Sequence, residues 1–339
     1  MLVTCTGMLV VDITASGQLE AAAPGEATSA LSGERFSAGG HAANVSIDLL
    51  KLGLAKGEVS CSGAVGQDDL GDFIIKELEK NGVVTHVEKV EKTPTGSATT
   101  ISAEGEARKF HFDIGANTLL EPLKVRDLLR RERPCVFYIG ATGSLGLFDE
   151  QLPRILREVK EELDCVTVVD PIQPQGHGWE FLARASEWID VLHCNGTEAE
   201  SMTGKHKSTE ALNAIANRGV KLPIITLGNE GLVAKHAYDR VAMPAFKVPV
   251  VDPMGAGAAF SAGVVFYLTR KADKLGKIDV AALTRKELLD LLLEGQAAGA
   301  ACVTDVGTTK AVTRENVDRI LQEQKGAIMD QMRIGFSTF

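Results

Sequence analysis

The stretch that decides the fold is VVDPMGAGAAFSAGVVFYL, Val250 to Leu268. Apolar residues lead into Asp252. A turn of small residues follows (Gly255, Ala256, Gly257), and then a nearly unbroken apolar run. The pattern predicts a strand ending at Asp252, a tight turn, and a helix over roughly 256–270. Small side chains leave the N–H groups of such a turn uncovered, and the helix dipole adds partial positive charge there. The result is an anion hole of the kind that suits a transferring phosphoryl group. A turn packed against a neighbour would carry the same letters, so the rest of the chain has to decide.

Working outward, the second half alternates strand and helix. CVFYIG (135–140), CVTVVD (165–170), VLHCN (191–195) and PIITLG (223–228) read as strands, with helical patterns such as LPRILREVKEEL (152–163) between them. That rhythm predicts an α/β fold with a parallel sheet covered on both faces. GLVAKH (231–236) and residues 241–250 read as an antiparallel extension, and 285–303 as a late helix. Upstream, residues 2–12 read as one buried strand ending in Asp12. GGHAANVSIDLLKLGL, from Gly39 to Leu54, reads as a glycine turn feeding a helix. FIIKELEKNGV (73–83) is a helix closed by Gly82, and 96–114 is a hairpin around Gly105. Residues 13–38 have weak periodicity and fall outside the main core. No repeat or linker divides the chain, so one domain over 1–339 is expected.

Bulk properties narrow the function. The chain has 339 residues, 45% hydrophobic and 24% charged, with a formal net charge of -9. That balance fits a globular protein and argues against a nucleic-acid partner held by a basic surface. No run of eighteen apolar residues occurs, so no membrane span is expected. The start lacks a basic segment before its apolar run, which points to a first strand and a cytoplasmic protein. The six cysteines form no CxxC pair and read as buried reduced thiols. The histidines show no metal-type spacing. Ligands of open parallel sheets bind at the carboxyl ends of strands, which singles out Asp12, Asp170, Asn195 with Glu198, Thr226 to Gly231, and Asp252.

These pieces together resemble the PfkB (ribokinase-like) carbohydrate kinase family. Its C-terminal signature runs D-x-x-G-A-G-D-x-F, and Asp252, Gly255, Ala256, Gly257 and Phe260 match it. Gly39, Gly40 and Asn44 resemble the N-terminal signature, a Gly-Gly turn with Asn at a helix start. Asn195-Gly196-Thr197-Glu198 matches the NxxE motif, and Thr226, Gly228 and Gly231 match TLGxxG. The resemblance covers the chain from Asp12 to about residue 312. No GxxxxGK[ST], HRD or DFG supports another kinase architecture.

The resemblance implies a three-layer α/β/α sandwich with a mostly parallel central sheet, and a small β-sheet lid from segments near 13–38 and 96–114. It implies ATP-dependent phosphorylation of a hydroxymethyl group on a small sugar or sugar acid. Gly255, Ala256 and Gly257 would form the anion hole. Asp12, Gly39, Gly40, Asn44, Arg108 and Asp252 would meet the substrate, with Phe110 and Phe112 as further lid candidates. Asn195, Thr226, Gly228 and Gly231 would line the nucleotide. Glu198 and Asn195 would organise Mg²⁺, mainly through water, although Asn195 and Glu198 also read as a helix capping box. The segment 295–312 would wall the adenine, and in relatives its carbonyls hold a monovalent cation such as K⁺, carried here to Cys302 and Gly307. Relatives often dimerise through the lid edge, so a homodimer is a further expectation.

One position departs from the pattern. The family's second aspartate, the general base, falls on Ala258. A methyl group cannot accept a proton, and losing a positioned base typically slows a reaction ~10²–10⁴-fold. The otherwise intact signature favours an Asp→Ala variant made to trap substrate. A natural pseudokinase that binds sugar or nucleotide is the alternative, and within the active class a nucleoside kinase is the runner-up. A stacking aromatic in the pocket would favour a nucleoside, whereas charged donors such as Arg108 would favour a sugar acid or sugar phosphate.

Overall fold

The structure is a computed structural model and describes residues 1–16, 34–102, 109–237, 239–272 and 277–335. The chain opens with β1 (Val3–Gly7), β2 (Val10–Ser16), β3 (Glu34–Gly39) and helix α1 (His41–Leu52). Next come β4 (Val59–Gly66), α2 (Asp69–Lys80), β5 (Val84–Val90), β6 (Gly96–Ser102) and β7 (Lys109–Asp113). The alternating half runs α3 (Pro122–Glu132), β8 (Val136–Thr142), α4 (Leu147–Glu158), β9 (Val166–Pro171), α5 (Glu180–Ala185) and β10 (Val191–Asn195). It continues with α6 (Gly196–Thr203), α7 (Ser208–Asn217), β11 (Leu222–Thr226), β12 (Leu232–His236) and β13 (Asp239–Met243). The last elements are α8 (Ala256–Thr269), α9 (Arg285–Cys302), α10 (Arg314–Gln331) and β14 (Arg333–Gly335).

The described strands form two sheets. The larger has ten strands in the order β14-β13-β12-β11-β10-β9-β8-β1-β4-β5. From β11 to β5 every neighbouring pair is parallel, and β12, β13 and β14 add antiparallel pairs at one side. Its central strands are buried along their length, as in β1 and β8, because helices cover both faces. Two large apolar clusters result. One joins Val45 and Leu49 of α1 to α8 and α9, and the other joins α4, α5 and α7 to the opposite face. The smaller sheet has the order β3-β2-β6-β7 and is mixed, since β2 pairs β6 in parallel while its outer pairs are antiparallel.

Local chemistry sets the helix starts. Asp68 caps α2 by accepting from the Gly71 N–H at 2.8 Å, and Thr284 with Glu287 forms a capping box on α9. Helix α8 differs. Its N-cap is Gly255, which has no side chain to give, and its first turn holds no acidic residue.

Three sequence expectations need correction. Residues 2–12 make two strands in different sheets, because the chain breaks at Gly7 (φ 142°) and crosses over. Asn117 clamps that crossing, accepting from the Leu9 N–H at 2.7 Å and donating to the Leu9 carbonyl at 2.9 Å. The antiparallel extension ends at Met243 rather than 250. Asp252 therefore does not end a strand. It lies in an irregular segment whose Val251 and Asp252 N–H groups both donate to the Val303 carbonyl.

Candidate functional site

Helix α1 delivers the first group of site residues. Gly40 is its N-cap at φ 87°, and a side chain there would run into the Met8 carbonyl. Gly39, the last residue of β3, lies under Asp12, where an added Cβ would collide with the carboxylate. The pair is therefore small for two reasons: one glycine supplies the backbone angle, the other supplies room for an acid. Asn44 follows one turn into α1 and is buried.

Asp12 sits on β2 with 6% exposure, and its Oδ2 has no hydrogen-bond partner among the described residues. Burial, reinforced by the charge of Asp252, pushes its carboxyl up to about 7. An orphaned, buried carboxylate oxygen fits a ligand hydroxyl. The register of the small sheet places Ser37, Asp12, Ala98 and Phe112 in one cross-strand row. Cross-strand partners share a face, and Ala98 and Phe112 pack against the cluster that holds Met8 and Val10. Phe112 is thus on the Asp12 side of the sheet. Arg108 and Gly105 lie outside the described residues.

The decisive turn is built as its letters implied. Gly255 is left-handed (φ 83°), and a Cβ there would sit 2.8 Å from Thr308 Cβ. Gly255 and Ala256 are half-buried, Gly257 is exposed and Ala258 is buried. No side chain caps these amides, and the Ala256 N–H makes only a long 3.4 Å approach to the Pro253 carbonyl, so the start of α8 leaves N–H groups open to a ligand. Thr308 ties the turn to α1, since its hydroxyl donates to Asn44 Oδ1 at 3.0 Å. The 302–308 segment also meets the turn through Cys302, whose Sγ lies 3.4 Å from the Met254 carbonyl and 3.2 Å from the Thr308 carbonyl. Gly255 to Ala258, Asn44, Asp252 and Asp12 are therefore brought into one neighbourhood.

Farther along the sheet edge, Asn195 and Glu198 form the capping box at the start of α6. Asn195 Oδ1 accepts from the Glu198 N–H at 2.9 Å, and Glu198 Oε2 accepts from the Asn195 N–H at 2.8 Å. Burial, with the nearby Asp170 charge, outweighs these bonds and raises the Glu198 carboxyl to about 7. A carboxylate so disfavoured as an anion suits a neighbouring cation. Among the described residues no three acidic, His or Cys side chains gather as a metal cage, so a cation here would lean on water and phosphate, which is the habit of Mg²⁺. Thr226 ends β11 half-exposed, and Gly228 (φ 59°) and Gly231 (φ 102°) shape the hairpin to β12.

Sequence reading singled out Asp170 but missed His193 and Ser261, the buried polar partners it gathers under α8. Asp170, His193 and Ser261 are all at most 3% exposed. The Ser261 hydroxyl donates to Asp170 Oδ2 at 2.8 Å, and the Tyr138 hydroxyl donates to the same oxygen at 3.0 Å. Burial works against the Asp170 charge. His193, His41 and the Ser261 bond overcome it and hold the carboxyl down at about 2. The available signal was a lone His in an apolar strand and a lone Ser in an apolar helix.

A ten-stranded, mostly parallel sheet between helical layers, with a small separate sheet bringing Asp12 toward the start of α8, is the α/β/α architecture of the ribokinase-like fold. Residues 3–315 match the model of the pfkB family carbohydrate kinases, and the chain belongs to that family. It is 25% identical over 311 residues to a ribokinase of Haemophilus influenzae, covering 88% of this chain and 92% of the relative. An aminoimidazole riboside kinase of Salmonella typhimurium is 27% identical over 245 residues, covering 68% and 74%. A fructokinase of Xylella fastidiosa, solved with bound ATP, superposes with a TM-score of 0.78 at 22% identity, covering 96% of this chain and 99% of that one. No helix among the described residues is long and apolar enough to cross a membrane.

Proposed function

We propose that the cleft binds ATP and a small sugar or sugar acid, and is laid out for in-line transfer of the γ-phosphate to a hydroxymethyl group. The observation that carries this reading is the uncapped, accessible first turn of α8, tied through Thr308 to Asn44. In this reading Asp12 and Asn44 meet substrate hydroxyls, and Gly39 and Gly40 let the substrate approach. The amides that follow Gly255 take up negative charge as the phosphoryl group moves. Thr226, Gly228 and Gly231 line the nucleotide, and Glu198 holds Mg²⁺ through water. When bound, the metal supplies charge neutralisation at the phosphates. The carbonyls of Met254 and Thr308, which converge on Cys302 Sγ near Asp252, offer the oxygen chemistry a monovalent cation takes. The ATP carried by the Xylella fastidiosa fructokinase supports the nucleotide part of the reading.

Ala258 leaves this layout without a carboxylate at the start of α8. The binding groups are independent of it, so the chain reads as a binding-competent kinase scaffold with a slowed transfer step. Ala258→Asp should raise ATP- and Mg²⁺-dependent phosphorylation of a sugar by ~10²–10⁴-fold. An inert Ala258→Asp protein, across a panel of sugars, sugar acids and nucleosides, would leave a non-catalytic binding role.

A nucleoside substrate is the second reading, and one observation favours it. Phe112 shares the row of Asp12 on the small sheet and, although packed against the Met8–Val10 cluster, stays half-buried, so in this reading part of its ring would meet a base.

A further inference from the structure

We propose that His193 is a positioning residue that fixes the Thr226 hydroxyl at the nucleotide end of the cleft. The proposal rests on the reading of that cleft as a nucleotide site. The four strands β8, β9, β10 and β11 are consecutive neighbours in the large sheet. Each contributes one polar group, Tyr138 and His193 from mid-strand and Asp170 and Thr226 from the strand ends. Ser261 reaches down from α8 and completes a chain of contacts that crosses all four strands.

Hydrogen counting gives this chain a direction. The single hydrogens of the Tyr138 and Ser261 hydroxyls are both committed to Asp170 Oδ2. Ser261 Oγ also lies 2.9 Å from His193 Nδ1, so in that contact it accepts. Nδ1 therefore carries a hydrogen. The opposite nitrogen, Nε2, lies 3.1 Å from Thr226 Oγ1. The ring has little room to turn. It packs on Phe260 with centroids 4.6 Å apart and is 3% exposed.

Burial shows where the chain ends. Asp170, His193 and Ser261 are shut away, whereas Thr226 is half-exposed. Its hydroxyl is the point at which the buried chain reaches the cleft, and its other contact is a long 3.4 Å approach to the Cys194 carbonyl. Ser261 is 0% exposed, so no substrate reaches its hydroxyl and it serves as a link in the chain rather than as a nucleophile. His193 thus couples the helix that carries the anion turn to the strand that carries the nucleotide contact, without touching the ligand itself.

The test is a double-mutant cycle on binding of a non-hydrolysable ATP analogue with Mg²⁺, read by calorimetry. His193→Asn keeps a group near Ser261 but no longer reaches Thr226, and should weaken binding about 5-fold, as expected for one lost hydrogen bond. Thr226→Val should weaken it by a similar factor, and Thr226→Ser should bind like the parent. The double variant should be no weaker than either single one. Ser261→Ala, which suits a helix interior, serves if His193→Asn does not fold, and should show the same non-additivity with Thr226→Val. Independent, multiplying losses, or an unchanged affinity in His193→Asn or Ser261→Ala, would overturn the positioning role while leaving the nucleotide site intact. If the parent chain binds no ATP analogue, the reading of the cleft fails first and the proposal falls with it.

Discussion

Thr308 Oγ1 donates a 3.0 Å hydrogen bond to Asn44 Oδ1, joining residues 264 positions apart. Both partners are buried, at 5% exposure each. The bond holds the helix that carries the Gly-Gly turn against the loop that braces Gly255. Removing the hydroxyl leaves an amide oxygen buried without a donor. Thr308→Val should therefore destabilise the fold by ~1–3 kcal/mol, and Thr308→Ser should restore most of it. Urea unfolding of the three proteins checks this.

The two glycines of the anion turn should respond in opposite ways. At Gly255 the backbone is left-handed and an added Cβ would meet Thr308 at 2.8 Å. Gly255→Ala should lower stability by roughly 1–3 kcal/mol and abolish nucleotide binding. At Gly257 a Cβ would find ordinary contact, 3.7 Å from His193 Cε1. Gly257→Ala should fold at least as well as the parent, because Ala favours a helix over Gly by up to ~1 kcal/mol. Its methyl group should nonetheless crowd the exposed amides and weaken ATP binding. Thermal melts paired with calorimetry separate the two effects.

Much of this site is legible in the letters because it depends on local patterns. Small residues before an apolar run placed α8 at 256–269, close to the expected 256–270, and the Asn195–Glu198 spacing gave a true capping box. What stayed hidden depends on distant partners. The apolar run 2–12 does not reveal its break, since the crossing at Leu9 is held by Asn117, 108 residues away. The extension past Met243 was overread, although Pro244 and Pro249 cannot donate to a ladder. The Asp170–His193–Ser261 group is spread over three elements, and no local spacing reports it.

Asp12 makes stability depend on pH. Its carboxyl is pushed up to about 7 by burial and by Asp252, so between about pH 4 and 7 the folded chain keeps a proton that the unfolded chain releases. The stability tied to this group is fully present below the unfolded value and is lost as pH rises through 7. The loss is on the order of 4 kcal/mol. Asp12→Asn should flatten that slope, so its advantage over the parent grows between pH 5 and pH 8 in urea titrations. The same variant should bind substrate more weakly, because one acceptor for hydroxyls is gone.

Glu198 should separate capping from metal binding. Glu198→Gln keeps the capping-box geometry and removes a charge that burial disfavours, so at pH 7 stability should match or exceed the parent's. The Mg²⁺ concentration needed for half-maximal ATP binding should rise about 10-fold, as for loss of one charged partner. Glu198→Ala should show the same metal effect plus ~1 kcal/mol of lost stability. Magnesium titrations followed by nucleotide fluorescence, with melts alongside, distinguish these outcomes.

The central claim is that the bare amides at the start of α8 receive a nucleotide's terminal phosphate. Calorimetric comparison of a non-hydrolysable ATP analogue with ADP, on the parent chain and on Gly257→Ala, tests it most directly. The parent should bind the triphosphate more tightly than the diphosphate, and Gly257→Ala should erase the difference while ADP binding persists. Equal affinities in the parent, or a preference untouched by Gly257→Ala, would contradict it.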